Sequence, residues 1–144
     1  MIYLDNAATT ALSLAAIQAM TKTMTVFGNP SSTHSHGREA SKLLRQARED
    51  IAQALHTQSN KILFTSGGTE SNNTAIKGYA LRHQNRGKHI VTTAIEHHAV
   101  LEVVEYLVDK FGFEATFVQP VDGQIRAKDI KKALRPDTIL VSVM

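Results

Sequence analysis

The stretch KHIVTTAIEHHAVLEVVEYLVDKF, Lys88–Phe111, changes its apolar period partway along. KHIVTT is short, β-branched and apolar, which predicts a strand over Lys88–Thr93. From His97 onward, Val100, Val103, Val104, Leu107, Val108 and Phe111 recur at helical spacing, so the segment to Phe111 predicts a helix with that face inward. A further strand-like run, EATFVQP, follows at Glu114–Pro120. Strand, helix, strand at this spacing is a βαβ unit, whose strands run parallel beneath a crossing helix.

The same alternation extends both ways. Downstream, VDGQ reads as a turn, AKDIKKAL as a short helix and DTILVSVM as a last strand. Upstream, KILFT (Lys61–Thr65) reads as a strand and ESNNTAIKGYALRHQ as a helix. A long helix is expected from about Ser35 to Leu55, with Ala40, Leu43, Leu44, Ala47, Ile51 and Leu55 on its apolar face. GNPSS (Gly28–Ser32) breaks the chain before it through Gly, a pre-proline Asn and Pro30. LAAIQAMTKTMTVF precedes that break as a helix capped at Ser13, with Leu14, Ile17, Met20 and Met24 on one side, and IYLD (Ile2–Asp5) reads as a short strand. The expected fold class is α/β: a mostly parallel sheet flanked by helices. TILVSVM is nearly continuous in apolar residues, the pattern of a strand covered on both faces. Ligands of open α/β sheets bind just past such strand ends. The reading is therefore of the front part of a larger protein, truncated at a core strand.

Length and composition narrow the function classes. The chain has 144 residues, 42% hydrophobic and 20% charged, a globular balance. Net charge is +3, from 16 basic and 13 acidic residues scattered along the chain, with Lys131 and Lys132 adjacent. No basic stripe tracks a phosphate backbone, so nucleic acid is not an expected partner. There is no Cys, which removes disulfides, thiolate metal sites and Cys nucleophiles from this chain. No apolar run reaches the roughly 18 residues of a membrane span, and MIYLDNAATT lacks the basic and apolar regions of a signal peptide. The expected location is the cytoplasm.

Two junctions carry chemistry. In FTSGGTESNN (Phe64–Asn73), a strand-like run meets Ser66-Gly67-Gly68-Thr69 and then a helix. Glycines let backbone N–H groups approach a ligand, and the first N–H groups of a helix lack internal partners at the positive end of its dipole. The turn can thus hold a phosphate or carboxylate, with Thr69 adding a hydroxyl. It can equally be an ordinary strand-to-helix turn with a Ser or Thr cap and Glu70 favouring the dipole. GxxxxGK[ST] and GxGxxG are absent, and Ser66 is not in a GxSxG elbow, which disfavours a serine hydrolase. The second junction is AIEHHAV (Ala94–Val100), after KHIVTT and expected on the same sheet edge. A helix N-terminus favours a neutral imidazole, and a neutral flat ring suits stacking on a planar cofactor. A surface histidine pair at a helix start is the plainer alternative. Adjacent His97 and His98 project about 100° apart on a helix, which makes a metal site weaker still.

Four stretches together resemble one family: YLDNAATT at the start, FGNPSSTHSHGR at Phe27–Arg38, FTSGGTESNN at Phe64–Asn73 and IEHHAVL at Ile95–Leu101. In order and spacing they look like the NifS/IscS-type cysteine desulfurases, class V members of the fold-type I pyridoxal-phosphate enzymes. The resemblance implies pyridoxal 5'-phosphate as cofactor. Gly68 and Thr69 would bind its phosphate and His97, rather than His98, would stack on its ring. Residues 1–12 would be an N-terminal arm near the active site, and 13–144 the first part of the large cofactor-binding domain. His34 and Arg38 match the second motif, with a role in the site or in local loop structure equally open.

The resemblance further implies L-cysteine as substrate, alanine and an enzyme persulfide as products for iron-sulfur cluster or thio-cofactor synthesis, a homodimer, and sulfur-accepting or scaffold proteins as partners. Such an enzyme needs a lysine to anchor the cofactor, a carboxylate on its ring nitrogen and a cysteine thiolate to take the sulfur. None of the nine lysines follows a Ser-x-His, and there is no Cys, so the chain alone is expected to carry no catalytic residue and to be inactive. Alternatives are another class V enzyme, such as a selenocysteine lyase or aminotransferase, or a non-catalytic remnant acting through binding.

Overall fold

A computed structural model describes residues 2–144; Met1, the first residue of the expected 1–12 arm, lies outside them. The chain forms two compact units that meet in sequence between Leu63 and Phe64.

The first unit is helical. α1 spans Leu14–Thr23, where the Ser13 hydroxyl accepts the Ala16 N–H at 3.2 Å as N-cap. α2 spans Ser35–Ala54, close to the expected bounds. Its cap is His34, whose Nδ1 accepts the Gly37 N–H at 3.3 Å. The loop before α2 folds tightly onto its first turn: a Cβ at Gly28 would collide with the His36 carbonyl, and one at Gly37 with that of Ser32. The Phe27 and His36 rings stack with centroids 4.5 Å apart. The apolar stripes exist but are largely open: Leu14, Ile17, Met20 and Met24 of α1 are exposed, as are Leu43 and Ile51 of α2, where Gly37 and Ala52 are buried.

IYLD and KILFT, expected as strands, lie outside the sheet. The Tyr3 hydroxyl donates to carbonyls on either side of the turn at 6–8, those of Asp5 (2.9 Å) and Thr9 (3.1 Å). Ser59–Lys61 is a single 3₁₀ turn, and Ile62 after it is extended. Extended backbone becomes a strand only when a neighbour supplies a ladder, and in this structure none runs beside residues 62–65.

The second unit is the α/β part. α3 (Gly68–His83) leads to β1 (His89–Thr93), α4 (His98–Phe111), β2 (Glu114–Val118), α5 (Ala127–Ala133) and β3 (Thr138–Val141). The sheet order is β2-β1-β3, with both pairings parallel, as the alternation required. The chain crosses from β1 to β2 and returns past β1 to β3; right-handed crossovers then place α4 and α5 on opposite faces. β1 is central and all five of its residues are buried. Ile90, with Phe113, packs against Ile76 and Ala80 of α3 and Val100, Val103, Val104 and Leu107 of α4.

On the other face, His89 replaces an apolar residue. Its ring is fully buried, with Nδ1 2.7 Å from Thr138 Oγ1 and Nε2 2.9 Å from Thr116 Oγ1, so one ring bridges all three strands. Arg135 closes the amino end of the sheet by pairing with Glu114 (2.5 Å) and Asp137 (2.9 Å). A Cβ at Gly87 would collide with the Asp137 carbonyl, so the approach to β1 has room for glycine alone. β3 is half-buried with Val141 exposed, because β1 alone flanks it, whereas the apolar run predicts cover on both faces.

Candidate functional site

The site lies in the second unit, where α3 and α4 begin. Gly67 is the N-cap of α3, in extended backbone open to any residue (φ 167°). The first intrahelical bond runs from the Ser71 N–H to the Gly67 carbonyl at 3.0 Å. The N–H groups of Gly68, Thr69 and Glu70 precede it and have no partner within the helix, at the positive end of its dipole. A Cβ added at Gly67 or Gly68 would meet nothing within 4 Å. Unlike Gly87, these two glycines answer no packing demand inside the unit. They leave bare backbone at a helix mouth, the surface a small anion uses.

Side chains hold that turn in shape. Glu70 reaches back, and its Oε2 accepts both the Ser66 N–H and the Ser66 hydroxyl at 2.7 Å. The backbone N–H of Ser66, and then its hydroxyl, keep the Glu70 carboxyl below the ordinary carboxylate pKa. Thr65 Oγ1 lies 2.6 Å from Ser71 Oγ, and Asn73 donates to the Thr69 carbonyl at 2.9 Å.

His97 is the N-cap of α4, and its Nδ1 accepts the Ala99 N–H at 3.0 Å. A ring whose Nδ1 lone pair is so engaged carries its hydrogen on Nε2 when neutral. His98 meets it edge-on, with centroids 6.4 Å apart. Gly68, Thr69, Asn72, His97 and Ala99 line one cleft of about 310 Å³. The three residues singled out from the sequence thus come together. Asn72 is the addition; it stands one helical turn after Thr69, a neighbour that the i,i+3 rule would have found. Thr69 and Ala99 also border a second cleft of about 230 Å³ with Asn73, Lys77, Glu102, Val103 and Tyr106. His34 and Arg38 belong to the first unit and make local bonds there, His34 to the Gly37 N–H and Arg38 to the Thr33 carbonyl.

Backbone N–H groups, the Thr69 hydroxyl and the Asn72 amide offer donors for an anion, while the His97 imidazole offers a flat face. That donor set fits a ligand carrying both a phosphate and a planar ring. Among the described residues, no group of His, Cys, Asp and Glu could hold a metal ion. Among the described residues, no helix is long and apolar enough to cross a membrane.

The comparisons with known proteins agree in direction. The family model described as aminotransferase class-V matches residues 2–144. A cysteine desulfurase IscS from Dictyoglomus turgidum is 53% identical over 99% of this chain, which spans 36% of that relative's length. A solved NifS-like protein superposes with a TM-score of 0.84 at 38% identity, over 94% of this chain and 38% of its own. A structure described as SspA in complex with cysteine superposes with a TM-score of 0.83 at 36% identity, over 95% of this chain and 40% of its own.

Proposed function

The chain belongs to the aminotransferase class-V family, and from that premise we propose that it is the cofactor-holding part of a cysteine desulfurase. Residues 1–12 are then its arm, and 13–144 the first part of its large domain. The protein would release sulfur from L-cysteine, leaving alanine and passing persulfide sulfur to acceptor or scaffold proteins, as a cytoplasmic homodimer. Support for cysteine as substrate comes from the names of the relatives and from SspA, whose structure holds cysteine.

The observation that carries the cofactor reading is the single cleft shared by Gly68, Thr69 and His97. Pyridoxal 5'-phosphate, once bound, supplies an electron sink for bonds at the substrate's α-carbon. The N–H groups of Gly68 and Thr69 and the Thr69 hydroxyl bind the phosphate. His97, its Nδ1 committed to Ala99, presents its ring to the pyridine. A sulfur-carrying thiolate is not supplied by these 144 residues, which contain no Cys.

Pyridoxine 5'-phosphate tests this directly. It has the ring and phosphate but no aldehyde, so it reports on the cradle without reacting with lysines. Titration followed by its fluorescence should saturate at one site. Thr69→Ala should weaken binding by about 1.5–3 kcal/mol, the loss of a hydrogen bond to a charged group. Equal affinity in the parent and Thr69→Ala chains would refute the assignment.

A further inference from the structure

Glu96 stands one residue before His97 and is buried. Among the described residues its carboxylate forms no ion pair. A buried carboxylate without a cation is costly unless hydrogen bonds satisfy it. Here one oxygen, Oε1, accepts two: the Thr93 hydroxyl at 2.7 Å and the Met144 backbone N–H at 2.6 Å. Thr93 ends β1, and Met144 follows β3, whose ladder with β1 continues through the Ser142 N–H to the Val91 carbonyl at 2.9 Å. On the opposite side, the Ala94 N–H donates to the Val118 carbonyl, the last residue of β2, at 3.0 Å. The β1–α4 junction is therefore held from both flanking strands, by backbone toward β2 and by Glu96 toward β3.

We propose that Glu96 is a positioning residue for His97, fixing the ring by tying the β1–α4 junction to the segment after β3. The proposal rests on the cofactor reading above for what the ring is positioned toward. The bond from Ala99 orients the ring relative to α4, and Glu96 orients that helix start relative to the sheet. Without Glu96 the junction keeps its β2 tether alone. The strands and α4 are held separately, by the parallel ladders and by Val100, Val103, Val104 and Leu107. Loss of Glu96 should therefore loosen the ring more than the fold.

Three variants separate geometry from charge. Glu96→Gln retains an oxygen acceptor for both donors and removes the charge. Glu96→Met keeps the length and removes the acceptor. Thr93→Val removes one donor and leaves the carboxylate. Histidine-labelled nitrogen NMR reads the His97 ring, and hydrogen exchange reads the Met144 amide, both without ligand. Circular dichroism induced in pyridoxine 5'-phosphate then reads the ring's placement against a bound molecule. Glu96→Gln should match the parent in all three. Glu96→Met should give an averaged His97 tautomer signal, faster Met144 exchange, loss of the induced signal and about tenfold weaker binding, equivalent to about 1.4 kcal/mol. Thr93→Val should fall between, and it carries the comparison if Glu96→Met fails to fold. An unchanged His97 spectrum in Glu96→Met and Thr93→Val would overturn the proposal, as would Glu96→Gln disturbing the ring as much as Glu96→Met. A parent chain that does not bind pyridoxine 5'-phosphate would defeat the cofactor reading instead, and the ring spectra would still decide the role of Glu96.

Discussion

His89→Phe tests whether one buried imidazole pins the sheet. The ring is fully buried in β1 between Thr116 of β2 and Thr138 of β3. Thr138 Oγ1 also accepts the Arg135 N–H at 2.7 Å, so its own hydrogen is free to donate to His89 Nδ1. The neutral ring then donates from Nε2 to Thr116. Phenylalanine fills similar space but leaves the half-buried Thr116 hydroxyl without its ring partner, a cost of about 1–3 kcal/mol when a polar group shielded from water loses its hydrogen bond. Thr138 keeps its bond from Arg135.

The pH dependence sharpens the test. Burial, and after it the Arg135 charge, hold the His89 pKa below its ordinary value, against the opposing pull of Asp137 and Glu114. Below about pH 6.5, the ordinary histidine value, the unfolded chain takes a proton that the folded chain refuses. The contribution of His89 is thus complete above that pH and is lost as pH falls toward the folded pKa, by at most about 1.4 kcal/mol per pH unit. His89→Phe has no such dependence. Urea unfolding followed by circular dichroism from pH 7.5 to 5 should show the variant less stable by about 1–3 kcal/mol at the top, with the gap narrowing below pH 6.5. Parallel stability curves for the two proteins across that range would refute the reasoning.

Leu107→Ala empties a fully buried position beneath the sheet and should cost about 2–5 kcal/mol in urea unfolding; an unchanged midpoint would contradict the core described. Gly87→Ala should destabilise by about 1–3 kcal/mol through overpacking against the Asp137 carbonyl. Gly68→Ala meets open space and should leave thermal stability level or raise it slightly, by about 0.4–1 kcal/mol, while weakening pyridoxine 5'-phosphate binding; a loss of stability there would mean that the glycine serves packing. With no Cys in its sequence, the 144-residue chain should release neither sulfide nor alanine from L-cysteine, and steady turnover would overturn that expectation.

Helical periodicity was legible where it was strong. α2 and α4 fall within one residue of their expected ends, and α3 begins two residues earlier, at Gly68 rather than Glu70. KHIVTT, EATFVQP and DTILVSVM each contain a strand, while IYLD and KILFT lie outside the sheet. A helix completes its backbone bonds within one segment, so local sequence suffices for it. A strand takes its partners from elsewhere in the chain, and composition does not specify them. The same distinction governs the site. Glycines before one helix and a histidine pair at the start of another are visible as residue types in the sequence, while the cap that His97 forms through the Ala99 N–H appears only in the fold.

The sequence by itself determined the α/β class, the approximate helix positions and the residue types at the two junctions, because these depend on spacing and on local backbone chemistry. Tertiary structure alone decided that the two junctions, expected on one sheet edge, share a single cleft, that His89 bridges three strands and that Glu96 ties the helix start to the segment after β3. Each of these links residues far apart in the chain through parallel pairing and crossover packing. Their distances follow from how strands and helices assemble, which no local pattern encodes.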